Sequence, residues 1–464
     1  MNTSQNFTEG KILTPLLKFA LPVLAALFLQ TMYGAVDMLV VGQFATAADV
    51  SAVSTGSWLM QLITSFVVGI AMGTTILLGR RIGEGRHKEA GKTIGASIVL
   101  FLIIGIVITV SMELFAVLVA RIMQTPSEAF DATVLYVRIC SAGSIFIVAY
   151  NVLGSIFRGI GNSRMPLITV AIACICNIAG DFLLVGVFGM ATAGAAIATV
   201  CAQAVSVIIS VVIIRRQSFP FEFHMSDIRA DRARMWEVFR LGFPIAFQDL
   251  LVSISFLTIT AIVNTLGVVA SAGVGVAEKL CGFIMLVPSA FNQSMAAFVS
   301  QNIGAGKVKR ADKALAYGIG TSLLAGVLMA YLSFFHGDLL AGLFARDGAV
   351  IAAAADYLKA YAIDCLLVSF LFCMIGYFNG WGKTTFVMVQ GIIGAFCVRI
   401  PVSFLMSRIL PVSLFKVGLA TPCSSVVQIL LCALYLAYMR SKSRKAASGT
   451  VGRQNDVLLF RDTD

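Results

Sequence analysis

The chain has 464 residues, 59% of them hydrophobic and 12% charged, with a mean hydropathy of +0.92 and a formal charge of +11. Soluble domains carry about 25% charged residues, so a soluble enzyme or binding domain is excluded and an integral membrane protein is expected. The basic residues sit in short loops between apolar runs, a placement that sets loop orientation and argues against a nucleic-acid surface.

In chain order, a polar start (Met1–Lys11) shows no cleavable-signal pattern. Apolar runs at 14–42, 51–79, 93–120, 132–157, 165–188 and 192–214 follow, each near or above the roughly 20 residues that cross a bilayer as a helix. A polar, basic stretch at 215–240, containing Pro220, His224, Asp231 and Arg234, interrupts them. A second set lies at 241–267, 271–300, 314–335, 350–378, 385–410 and 415–439, and a polar tail at 440–464 is expected to be disordered. The expected fold is all-α and integral to the membrane, with twelve transmembrane helices. Its domains are an N-terminal six-helix lobe (1–214), a cytoplasmic linker (215–240), a C-terminal six-helix lobe (241–439) and a cytoplasmic tail (440–464).

Loops after even-numbered spans are basic: Arg80, Arg81, Arg86, Lys88 and Lys92, then Arg158 and Arg164, the 215–240 stretch, Lys307 to Lys313, Lys383, and the tail. Loops after odd spans hold few basic residues. The positive-inside rule therefore places both termini in the cytoplasm.

The two sets of spans read as copies. Arg81-Ile-Gly-Glu-Gly-Arg86 aligns with Asn302-Ile-Gly-Ala-Gly-Lys307, an offset of 221 from position 81 to 302. Phe157-Arg-Gly-Ile-Gly161 aligns with Phe378-Asn-Gly-Trp-Gly382, and Tyr136-Val-Arg138 with Tyr357-Leu-Lys359, at the same offset; Phe19-Ala-Leu-Pro22 meets Leu241-Gly-Phe-Pro244 at 222. Six spans per copy give both halves one orientation. Transporters built from such repeats hold substrate between them and alternate access by rocking.

The informative polar residues lie inside the spans. No basic residue occurs between Lys18 and Arg80, so nothing in the first run neutralises Asp37. Between Met165 and Arg215, Asp181 is the only charged residue. At 1.5 Å per residue, Asp37, Tyr136, Asp181 and Thr199 all fall roughly 7–11 Å below the outer surface, and Asn177 shares the face of Asp181 at i−4. Two carboxylates, an amide and two hydroxyls at one depth suit a hard cation such as Na⁺, or two acids sharing a proton; residues independently reaching the outer interface are the plain alternative. In the repeat register Asp37 falls on Thr258 or Ile259 and Asp181 on Val402, which confines such a site to the first half.

In the second half, Asp249, Glu278 and Asp364 are acids within spans. Glu278 and Asp364 are candidate substrate contacts, although Lys279 beside Glu278 could pair with it. Arg138 and Lys359 are expected to snorkel outward. Eighteen methionines and 33 phenylalanines suit lipid contact and packing, or an adaptable pocket. The ten cysteines and three histidines form no metal or disulfide pattern. Gly91-Lys-Thr93 and Gly382-Lys-Thr384 lack the leading glycine of a phosphate loop, Arg86 and Tyr377 standing in its place. No cofactor and no enzymatic activity are expected; transport would draw on an ion gradient or run passively.

In order along the chain, Phe19-Ala-Leu-Pro22, Val36-Asp-Met-Leu-Val-Val-Gly42, Arg81-Ile-Gly-Glu-Gly85, Phe157-Arg-Gly-Ile-Gly161, Asn177-Ile-Ala-Gly-Asp181, Gly194-Ala-Ala-Ile-Ala-Thr199, Arg399-Ile-Pro401 and Gly418-Leu-Ala420 jointly carry a resemblance. Over essentially its whole length the chain resembles the multidrug and toxic compound extrusion (MATE) family. The resemblance implies two six-helix lobes forming a V in the cell membrane, acting as a monomer. It also implies export of amphipathic, cationic small molecules against inward flow of H⁺ or Na⁺. It suggests Asp37, Asn177, Asp181 and Thr199 as the first-lobe ion site and Pro22 as the bend of the first helix. A branch with essential acids on the seventh and tenth helices fits less well, because those positions fall on Val252 and near Val368. The usual Asp-Pro on the fifth helix is Asp181-Phe182 here. The runner-up is a lipid-linked oligosaccharide flippase of related fold, which would want a basic cavity for pyrophosphate.

Overall fold

In hydrocarbon every backbone N–H and C=O must be bonded inside its own segment, so apolar runs of this length fold as helices. The computed structural model describes residues 6–216 and 223–449, without the side chains at 215, 216, 225 and 443–449. Among the described residues there is no strand. The first half comprises α1 (Leu13–Phe44), α2 (Ala47–Gly83), α3 (His87–Ile122), α4 (Ser127–Ala142), α5 (Ser144–Ile160), α6 (Arg164–Asp181) and α7 (Ala191–Arg216). The second half comprises α8 (Arg232–Asn264), α9 (Val268–Ile284), α10 (Leu286–Gly304), α11 (Val308–Phe335), the short α12 (Gly337–Gly342), α13 (Gly348–Gly380), α14 (Thr384–Ile392), α15 (Ile400–Arg408), α16 (Leu414–Gly418) and α17 (Ala420–Gly449).

Eleven helical segments are long and apolar enough to cross a membrane. The pair α4–α5, bent by 52° at Gly143, supplies the twelfth. The bend has a packing cause, since a Cβ at Gly143 would lie 2.3 Å from Val200 Cγ1 on α7. Two spans contain a π-helical turn: Phe182–Val187 follows α6 directly, and Ile393–Arg399 joins α14 to α15.

Three local details differ from the sequence reading. Helix α8 starts at Arg232, inside the stretch read as linker, because the Asp231 side chain caps it by accepting from the Arg234 amide. That bond also holds the Asp231 carboxyl below its ordinary range. Helix α17 runs on to Gly449 into the expected tail; Pro220 of the linker and the tail from 450 onward lie outside the described residues. Arg158, read as a loop cation, sits in the last turn of α5 and is half-buried.

The halves meet at one end of the bundle, where the N-terminal segment, Arg81, Arg234, Lys307, Arg310 and Arg440 gather; it is called the basic face below. There Arg310 donates to the carbonyls of Phe7, Glu9, Gly10 and Lys11, and Asn302 to that of Phe7. Helix α2 packs along α8 and α10 at this end. Small residues allow it: a Cβ on Gly73 would lie 2.2 Å from the Val238 carbonyl oxygen, one on Gly242 2.2 Å from that of Ile70, and one on Gly83 2.0 Å from that of Gln301. Polar bonds cross the same seam: Arg234 to Glu89 at 2.6 Å, Arg81 to Glu237 at 3.3 Å, and Gln301 to the Gly159 carbonyl at 2.9 Å. Apolar side chains of α1 (Leu16, Phe19, Val23) complete the seam against Phe291, Met295 and Phe298 of α10. Towards the opposite face, residues 47–60 of α2 pack instead within the first half, on α4.

Candidate functional site

The site is assembled by small residues. Helices α6 and α7 approach closely because Gly180 faces Ala198, where a Cβ would stand 3.0 Å from the Ala198 methyl carbon, and because Gly194 lies against the Leu184 backbone. This accounts for the Gly194-Ala-Ala-Ile-Ala-Thr199 run. It brings Asn177 Nδ2 to Thr199 Oγ1 at 3.4 Å, while the Thr199 hydroxyl donates back to the Ala195 carbonyl at 3.0 Å. Helix α1 packs on α6 and α7 and sets its Asp37 carboxyl beside Asp181, Asn177 and Thr199. Asp37 and Asp181 are 6% and 0% exposed. Asp181 is the last α-helical residue before the π-helical turn, which widens the backbone where the two carboxyls meet.

Four residues on three helices thus converge on one point. Four of their oxygens are buried without a hydrogen-bond donor: Asp37 Oδ1, Asp181 Oδ1, Asp181 Oδ2 and Asn177 Oδ1. No lysine or arginine makes an ion pair with either acid among the described residues. Native proteins rarely leave buried acceptors unpaired. This donor set, all oxygen and doubly acidic, fits a proton shared between the carboxyls or a hard monovalent cation.

Tyr136 stands beside the cluster, 3% exposed, but its hydroxyl is engaged at 2.9 Å by Ser57 of α2. Its ring fits only because position 56 is glycine, where a Cβ would lie 2.3 Å from Tyr136 Cδ1. Pro22 lies inside α1, which continues as one helix through it.

The second-half acids are spread out. Glu278 is half-buried and accepts from Thr260 Oγ1 at 3.1 Å; it makes no ion pair with Lys279, which is exposed. Asp364 is 1% exposed and accepts from Ser425 Oγ at 2.5 Å, its second oxygen unpartnered. Asp249, read as buried, is exposed, as are Arg138 and Lys359.

Sequence reading missed Arg399 as an interior charge. It is 6% exposed, donates to Ser255 Oγ at 3.0 Å and lies 4.5 Å from the centre of the Phe256 ring. Its position was quoted only as part of Arg399-Ile-Pro401. The usable signal was the repeat: Arg399 falls within one residue of the register of Asn177, at an offset of 222 against the 221 that sets Asp181 on Val402. The second half thus carries a built-in cation near Asp364, where the first half carries unpaired acids. Among the described residues no group of three or more His, Cys, Asp or Glu is arranged to hold a metal.

Comparison with known proteins agrees with this architecture. A probable multidrug resistance protein of Bacillus subtilis, YoeA, is 25% identical over 433 residues, covering 92% of this chain and 94% of that protein. The probable multidrug resistance protein NorM of Thermotoga maritima is 24% identical over 409 residues, covering 87% and 86%. Among solved structures, an outward-facing multidrug resistance MATE family transporter of the MOP superfamily superposes with a TM-score of 0.89 at 19% identity, covering 96% of this chain and 99% of that one. The MatE family model matches twice, at residues 22–183 and 244–405, an offset of 222 at both ends and within one residue of the repeat read from the sequence. With both repeats matched in this way, the chain belongs to the MatE family.

Proposed function

We propose that this protein is a secondary antiporter of the plasma membrane that exports amphipathic, cationic small molecules in exchange for H⁺ or Na⁺. The names of its relatives in Bacillus and Thermotoga, probable multidrug resistance proteins, support drug transport as the coarser reading. The observation that carries the ion coupling is the Asp37–Asp181 contact, with Asn177 and Thr199 around it and no basic residue paired to it. The basic face is cytoplasmic by the positive-inside rule. Both termini then lie inside, and the seam closes the cytoplasmic end.

Each step follows from charge and geometry. Two carboxyls in contact in a low-dielectric interior need one positive charge between them. In the outward-open form the external ion supplies it. Binding neutralises the Asp37–Asp181 pair, and so changes how α1 sits against α6 and α7. Pro22 lacks the N–H that would bond one turn back, so α1 yields most readily there, and its outer half moves to expel the substrate. The seam at the basic face then opens to release the ion inside and admit the next substrate. A ligand shifts this equilibrium only by its differential affinity for the two states, so neutralisation of the acids supplies the coupling. Efflux of a fluorescent cationic dye from reconstituted vesicles tests the reading, with pH and Na⁺ gradients imposed separately. One gradient drives efflux and Asp37→Asn abolishes it; equal efflux in the variant contradicts the coupling role.

A further inference from the structure

We propose that the cavity holds a second recognition element, an anion-binding pocket built around Arg158 that selects substrates carrying a carboxylate or comparable acidic group besides their cation. The inference rests on the exporter reading and extends it to substrate class.

The pocket lies between α1, α5 and α6 of the first half and reaches Gln293 on α10 of the second. Its polar lining is Gln30, Tyr150, Asn151, Arg158, Thr169 and Gln293; Val23, Ala26 and Leu27 of α1 form an apolar wall. It contains no carboxylate. Gln30 Nε2 donates to the Tyr150 hydroxyl oxygen at 2.9 Å, which leaves the Tyr150 proton free to be donated onward. Asn151 spends one amide N–H on the Ile147 carbonyl and Thr169 its hydroxyl on the Met165 and Pro166 carbonyls. The available donors are therefore Arg158, Tyr150, Gln293 and the second amide N–H of Gln30 and Asn151, a set that suits an anion.

The path of the Arg158 side chain supports a ligand role. Arg158 lies three residues from the basic-face end of α5, where an arginine can extend to water. It folds the other way. Nη2 donates to Ser155 Oγ at 2.8 Å, and Nη1 passes so close to Gly154 that a Cβ there would lie 3.3 Å away. The guanidinium thus points back along α5 into the pocket. Its Nε–H is buried without an acceptor, and no acid pairs with it among the described residues. A half-buried cation whose Nε–H lacks an acceptor is under-solvated, and a bound carboxylate satisfies it.

Gln30 lies seven residues before Asp37 on α1, hence on the same face and about 10 Å away. A zwitterion docked at Arg158 rests, about two turns beyond Pro22, on the helix that carries Asp37. Its release and the ion's arrival would therefore move the same element.

The test is equilibrium binding to the purified protein, read by fluorescence anisotropy, of tetramethylrhodamine and its methyl ester. The dyes share the cationic ring system and differ in the free carboxylate. A charged hydrogen bond is worth about 1.5–3 kcal/mol, so the acid should bind roughly 10- to 100-fold more tightly than the ester. Arg158→Gln should remove that preference; Arg158→Lys should keep part of it. A wild-type protein that binds both dyes equally, or a preference that survives Arg158→Gln, overturns the pocket. The wild-type ratio decides the matter even where a variant fails to fold. Failure of the exporter reading looks different, because then neither dye binds.

Discussion

Closure at the basic face depends on backbone-to-backbone contact, which makes Gly73 a sensitive probe of it. A Cβ at this position would lie 2.2 Å from the Val238 carbonyl oxygen and 2.8 Å from the Gly242 nitrogen. Both obstacles are main chain of α8, so no side-chain rotation relieves the overlap in Gly73→Ala. Ordinary carbon contacts need well over 3 Å, so α2 and α8 must separate by about 1 Å along a seam otherwise packed to interior density. Overpacking of this kind costs about 1–3 kcal/mol. If the seam exists only while the basic face is closed, that whole cost falls on the closed state and shifts the equilibrium about 5- to 150-fold towards opening. Amide hydrogen exchange reads this directly: peptides covering 67–83 and 238–246 should exchange faster in the variant, while those of α4 and α11 stay unchanged. Gly275→Ala, where a Cβ meets nothing within 4 Å, is the control. Unchanged exchange at both segments with an unchanged melting temperature would refute the claim that this crossing holds the halves together.

Other expectations concern single groups. Arg399→Met removes the hydrogen bond to Ser255 Oγ and should lower stability by about 1.5–3 kcal/mol, read as a fall in melting temperature in detergent; an unchanged melting temperature would refute a structural role for this cation. Tyr136→Phe removes the Ser57 bond, should cost about 1 kcal/mol of stability, and should leave the ion dependence of efflux in place; a changed choice of ion would put Tyr136 in the ion site. Glu89→Gln weakens the link to Arg234, a half-exposed pair. Its effect on seam opening should stay within about 1 kcal/mol and vanish in high salt.

The fold was legible because a bilayer leaves helices as the plain solution for apolar runs of this length, and because the repeat recurs in one register. The gathering of Asp37, Asp181 and Thr199 was legible for a similar reason. Asp37 and Asp181 are isolated charges in apolar runs, and counting residues from the helix ends placed them with Thr199 at one depth. Tyr136 was read as a member of the site, but its hydroxyl answers to Ser57, a partner that depth counting could not supply. The π-helical turns after Asp181 and before Ile400 have no hydrophobic-pattern signature, since they change the winding and not the composition. Arg158 was misplaced because proximity to a predicted loop says nothing about which way a long side chain folds. Arg399 was passed over inside a motif; the charge asymmetry of the halves emerged only when both registers were set beside the packing. Asp249 shows the limit of equating an apolar run with burial, for one face of any such helix can open onto a cavity or lipid.

The most direct test of the account is the pair of ion gradients applied to wild type and Asp37→Asn in the same vesicles, with dye and ion flux followed together. The account predicts that one gradient drives dye against its own concentration, that ion and dye move in opposite directions, and that Asp37→Asn loses both movements while still binding dye. Dye accumulation of wild-type size in Asp37→Asn, or dye movement in wild type without any counter-flow of ion, would contradict it.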